Sequence, residues 1–149
     1  MNSSFLYTTL ALWCLLIASN SASGQLISER LDWYDLSEVK GQAIQDSLSF
    51  RGASTWQSDP KVPVYSRIIK LAPGTTDVKV VLRNPRVDEI ESQASLSGLP
   101  LKEEWEVKTT MLFNKGEPSV EVSIIPFSSG DKVSVRRLLA FDLEIQSIR

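Results

Sequence analysis

The 149-residue sequence predicts an all-β domain, an antiparallel β-sandwich or partly open barrel, behind a cleaved signal peptide. Three observations carry that expectation. Short segments rich in β-branched and aromatic residues recur from Val64 onward, turn signals part them roughly every 8 to 12 residues, and helical periodicity is nearly absent. At 42% hydrophobic and 23% charged residues the composition is that of an ordinary globular chain, which excludes a wholly disordered protein and a polytopic membrane protein.

The leader comes first. No side chain from Met1 to Ser28 carries a charge, and the apolar run within Phe5–Ala18 is too short for a comfortable membrane span. Ala22 and Gly24 then suit the −3 and −1 positions of a cleavage before Gln25, so residues 1–24 are assigned to a signal peptide and 25–149 to one β module. Cys14 is the only cysteine, and Trp13 directly before it excludes lipidation of the thiol. The exported domain is therefore expected to contain no disulfide and no membrane span, and to reach the periplasm, the outer-membrane surface or the medium.

After the leader, Leu36 to Asp46 is the one stretch with helical spacing, weakened by Gly41. Gly52 to Val62 reads as an irregular loop carrying Trp56 and Pro60. A strand over Val64–Leu71 ends at Ala72-Pro73-Gly74-Thr75, with Pro and Gly where a type II turn wants them. In Asp77–Arg83, Val78, Val80 and Leu82 share one face; Asn84-Pro85 breaks the strand, and another follows over Arg86–Ser92. Glu104–Phe113 alternates with Trp105, Val107, Thr109, Met111 and Phe113 on one face, and Asn114-Lys115-Gly116 closes a three-residue hairpin loop. The partner strand is Pro118–Phe127, with Val120, Val122 and Ile124 facing one way, and Ser128–Asp131 is the next turn. Lys132 to Ile148 completes the domain, with Leu138-Leu139 marking a bulge between two phases of alternation.

Charge and residue type narrow the function. With 16 Lys+Arg against 18 Asp+Glu there is no electrostatic footprint for nucleic acid. The chain has no His, which removes Ser-His-Asp and Cys-His catalysis and His-based zinc sites. Asp88, Glu89, Glu91, Glu103, Glu104 and Glu106 are dense enough to raise a glycosidase pair or a calcium site, but their positions suit solvated strand faces and no calcium-loop spacing organises them. Trp33, Trp56 and Trp105, with Tyr34 and Tyr65, are the material for a sugar-stacking platform, although the alternation places Trp105 in the core. Arg136-Arg137 within a strand reads as a surface ion-pairing site rather than a processing site.

Leu31-Asp-Trp33, Phe50-Arg-Gly-Ala53, the loop with Trp56 and Pro60, Pro63-Val-Tyr65 leading to Ile68-Ile-Lys-Leu71, Val122–Phe127 and Arg137–Ile145 together resemble the amino-terminal domain of PorU-type proteins. These are the type IX secretion sortases of Bacteroidetes, related to the gingipain cysteine peptidases. The resemblance covers nearly all of 25–149. It implies a propeptide-like β domain that precedes a caspase-like domain holding the catalytic His and Cys. Residues 25–149 have neither, so the chain is expected to be the non-catalytic module alone, a fragment or truncated frame, with no cofactor and no metal. The implied partner is that caspase-like domain or other type IX secretion components, with Trp56, Pro60 and Lys115 as candidate contacts. A secreted carbohydrate-binding module using Trp33, Trp56 and Trp105 is the alternative from another class.

Overall fold

The computed structural model describes residues 24–34, 49–55, 62–91, 101–130 and 134–149. They form eight strands in two antiparallel sheets that do not close into a barrel: β1 (Gly24–Arg30), β2 (Ser54–Thr55), β3 (Pro63–Lys70), β4 (Asp77–Glu91), β5 (Val107–Asn114), β6 (Glu117–Ile124), β7 (Phe127–Ser129) and β8 (Ser134–Ile148). The first sheet has the order β1-β8-β4, with β7 on the same side of β8 as β1; the second runs β2-β3-β6-β5. The all-β expectation holds, and no helix occurs among the described residues.

Alternation dictates the core. Val120, Val122 and Ile124 of β6 point inward against Leu138, Phe141, Leu143 and Ile145 of β8, with Tyr65, Ile69 and Val78 around them. A second, smaller cluster of Val62, Phe127 and Val135 lies under Trp33 and Ile90. The type II turn after β3 forms as expected: Gly74 has φ 83°, and the Thr75 amide and hydroxyl both donate to the Ala72 carbonyl, at 3.2 and 2.7 Å.

Several boundaries move, each for a physical reason. Asn84-Pro85 does not end a strand. β4 pairs with β8 on both sides of it, and the register slips by one residue between Arg83↔Asp142 and Arg86↔Ala140. Asn84 takes a left-handed φ of 49°, which Asn tolerates, and its amide donates to Asp142 at 2.9 Å, while Pro85 occupies the bulge where no ladder donor is needed. The slip is undone at once by Leu139, since Arg86 faces Ala140 and Val87 faces Leu138. The expected Leu138-Leu139 bulge is therefore one of a compensating pair.

Pro118–Phe127 is not one strand either. β6 ends at Ile124, and Pro126 lacks the N–H that a continued ladder would need. The chain crosses to the other sheet, where Phe127–Ser129 forms β7 instead of the expected turn, anchored by the Leu138 amide on the Pro126 carbonyl at 2.9 Å. β5 starts at Val107, not Glu104, because residues 103–104 bend and Arg136 donates to the Glu103 carbonyl. The hairpin loop has two residues, not three: Asn114 faces Glu117, and Lys115 and Gly116 have φ 51° and 84°, a type I′ turn.

β1 and β2 had no counterpart in the strand pattern. β1 pairs with β8 from Gly24↔Gln146 to Arg30↔Ala140, so a cut before Gln25 removes only the first rung of this ladder. Residues 1–23, the stretch of helical spacing from Leu36 to Asp46, and the Trp56–Pro60 segment lie outside the described residues.

Candidate functional site

The two sheets meet along two lateral seams of different character. On the β1/β3 side an ion pair between Glu29 and Arg67 joins one sheet to the other. On the opposite side β4 and β5 run beside one another, and a cleft of about 440 Å³ opens between them. Val80, Leu82 and Pro85 line it from β4, Val107 from the start of β5 and Trp105 from the segment before it, and Glu103, Glu104 and Arg136 stand among them.

Each polar member of the cleft has a structural cause. Arg136 is held on β8 with its guanidinium carbon 5.9 Å from the centroid of the Trp105 ring, and it donates to the Glu103 carbonyl. Its Nε is buried without a partner among the described residues. Neither the Glu103 nor the Glu104 carboxylate has an ion-pair partner among the described residues. Glu106, by contrast, is bound by Lys102 at 2.9 Å; that hydrogen bond and charge hold its carboxyl below the usual range.

Of the Arg136-Arg137 pair only Arg137 makes the expected ion pair; Arg136 has none among the described residues and bonds a backbone carbonyl instead. Arg137 forks onto Asp88 with bonds of 3.0 and 2.6 Å, and its guanidinium lies 4.9 Å from the Trp33 ring centroid. Asp88 is thereby committed to an ion pair, and the described residues contain no cluster of three potential metal ligands.

The aromatic residues separate into different roles. Trp33 donates Nε1–H to the Leu138 carbonyl at 2.8 Å and packs 5.1 Å from Phe50 and 5.4 Å from Phe127. Trp105 is half-buried against the main core. Neither ring is laid open as a flat platform. Tyr65 is buried edge-to-face on Phe141, its hydroxyl has no partner among the described residues, and burial pushes the phenol up to about 12.

Of the candidate contact residues, Lys115 sits at the tip of the β5–β6 hairpin with no ion-pair partner among the described residues, whereas Trp56 and Pro60 lie outside them. Sequence reasoning did not find the β4–β5 seam. Its members Glu103, Glu104, Trp105 and Arg136 stood out one by one as carboxylates, an aromatic and a strand cation, but no local pattern joined them across the seam. Comparison with protein-family models, with curated proteins and with solved structures finds no match.

Proposed function

We propose that this chain is an exported, non-catalytic interaction module of the PorU type, which meets a caspase-like catalytic domain through loops and sheet edges. The observation that carries the proposal is the residue inventory of 25–149. A cysteine peptidase or sortase needs a thiolate and a base to activate it, and this stretch contains no Cys and no His. Support comes also from the order in which the PorU-like segments occur along the chain, and from an open seam between sheets at which a polypeptide can add main-chain hydrogen bonds.

The test is calorimetric titration of the chain against the caspase-like domain of a PorU-type sortase. Binding without peptide hydrolysis is expected. Trp56→Ala is expected to cost about 2 kcal/mol, about thirtyfold in affinity, because loop aromatics dominate interfaces that bury them. Absence of binding by the wild-type chain overturns the proposal, and equal affinities remove Trp56 from the interface.

A further inference from the structure

We infer that this chain self-associates: β5 pairs antiparallel with β5 of a second copy about a two-fold axis at Thr110, joining two four-stranded sheets into one. This does not depend on the PorU reading. It rests on the open edge of the second sheet and on how the two ends of β5 match one another.

The backbone supplies the first argument. In the type I′ turn, Asn114 and Glu117 are the first and last residues, so they form a hydrogen-bonded pair. Hydrogen-bonded and open pairs alternate along an antiparallel ladder. The N–H and C=O groups of Val107, Thr109, Met111 and Phe113 are therefore turned away from β6, toward an edge that no strand occupies among the described residues. Proteins usually blunt such an edge with Pro, a bulge or several charges. β5 has no Pro, an uninterrupted register with β6, and one charged residue, Lys108.

Side chains supply the second. With Thr110 facing Thr110 of the second copy, Thr109 faces Met111 and Val107 faces Phe113, and all four belong to the set with outward backbone groups. Lys108 falls opposite Leu112, so no like charges meet across the axis. Phe113 is 61% exposed at one end of β5, while the cleft lined by Val80, Leu82, Trp105 and Val107 is at the other. Antiparallel pairing brings the ring of each copy to the cleft of the other. The interface is self-complementary, as a two-fold contact must be.

Charge supplies the third. The chain entering β5 carries Glu103 and Glu104, and the turn leaving it carries Lys115; none has an ion-pair partner among the described residues. The same two-fold axis sets each Lys115 near the carboxylates of the opposite copy.

Sedimentation velocity of the purified chain from micromolar to several hundred micromolar is the first measurement, and a reversible dimer is expected. Phe113→Ser should weaken it about a hundredfold, since two rings leave one interface. Thr109→Pro removes an outward N–H without touching the β6 ladder and should leave a monomer. Lys115→Glu should weaken the dimer about fivefold at low salt, and Glu104→Lys added to it should restore association. The register has its own probe: in a Cys14→Ser background, Thr110→Cys should cross-link rapidly between copies on oxidation, because open pairs bring Cα atoms to about 4.5 Å, whereas Leu112→Cys, which faces Lys108, should not. A monomer throughout the range overturns the inference. So does a dimer indifferent to Thr109→Pro and Phe113→Ser, provided circular dichroism shows both variants folded. Should either variant unfold, the Lys115/Glu104 exchange and the cross-link decide alone, and failure of both overturns it.

Discussion

β4 and β5 are the two strands that border the open seam, and they treat their edges in opposite ways. β4 is 15 residues long and carries Asp77, Lys79, Arg83, Arg86, Asp88, Glu89 and Glu91. It is kinked by the Asn84-Pro85 bulge, which Leu139 compensates on β8. β5 is eight residues long, pairs with β6 without a slip, and carries Lys108 alone. Charge and bulge are the usual guards against edge-to-edge pairing, so β4 is guarded on this side, whereas β5 has neither several charges nor a bulge, and no strand among the described residues covers it. Both strands contribute to the same core. The difference between them concerns what each presents to another molecule.

The largest expected effect lies in the spine that both edges share. Leu143 is fully buried on the central strand of its sheet, opposite Ile27 of β1 and Leu82 of β4. Leu143→Ala should cost about 3 kcal/mol in urea unfolding, whereas Met111→Ala on half-buried β5 should cost about 1 kcal/mol. Similar losses at the two sites would break the distinction between a core strand and an accessible edge. Next comes the guard of β4. Arg137 makes a forked ion pair with Asp88 and covers Trp33, so Arg137→Ala should cost about 2 kcal/mol. Arg137→Lys should recover less than half of that in the same unfolding assay, because an ammonium cannot fork onto the carboxylate.

The pH dependence is expected to have two limits of different origin. Hydrogen bonds from Asn84 and Ser28 lower the Asp142 carboxyl, and those from Gln146 and Arg83 lower that of Glu144. Groups with a depressed folded pKa stabilise above the ordinary carboxylate range and lose that contribution as the pH falls through their folded values. Tyr65 works at the other end. Its phenol is raised from 10.0 to about 12, so between those values the unfolded chain has given up a proton that the folded chain keeps, and stability falls as the pH rises. Tyr65→Phe should flatten the alkaline limb of a thermal-unfolding pH series and leave the acid limb unchanged. At neutral pH it should cost less than about 1 kcal/mol, since the lost hydroxyl has no partner among the described residues.

Much of the fold was legible because alternation reports which face is buried: Val120, Val122 and Ile124, and then Phe141, Leu143 and Ile145, all lie where period two places them. What alternation cannot report is whether an interruption ends a strand or kinks it. Asn84-Pro85 and Ile125-Pro126 look alike as local signals. The first continues because Asn84 takes a positive φ and reaches Asp142; the second changes sheets because a strand, β8, is available to receive Phe127. β1 escaped notice because Gln25–Arg30 has only two apolar residues, Leu26 and Ile27, in adjacent positions, and its ladder is made with a strand more than a hundred residues away. Of the candidate site, Glu103, Glu104, Trp105 and Arg136 were legible one at a time, but not their meeting in one cleft. The seam between β4 and β5 depends on strand order, which no local pattern encodes.

The smallest expected effect separates folding from association at one residue. Lys115 has φ 51°, a left-handed conformation that disfavours a long side chain, and type I′ turns prefer Asn followed by Gly. Lys115→Asn keeps Gly116 in place and should stabilise the isolated chain by about 0.5 kcal/mol in urea unfolding. Yet it deletes the charge that the β5–β5 pairing sets near Glu103 and Glu104, so at low salt the same substitution should weaken the dimer severalfold. A stabilised monomer with a weakened dimer would mean that the lysine at this turn is held for what it meets outside its own domain. Loss of stability would instead show that the turn does not demand the conformation described, and an unchanged dimer would remove Lys115 from the interface while leaving the open edge of β5 as its basis.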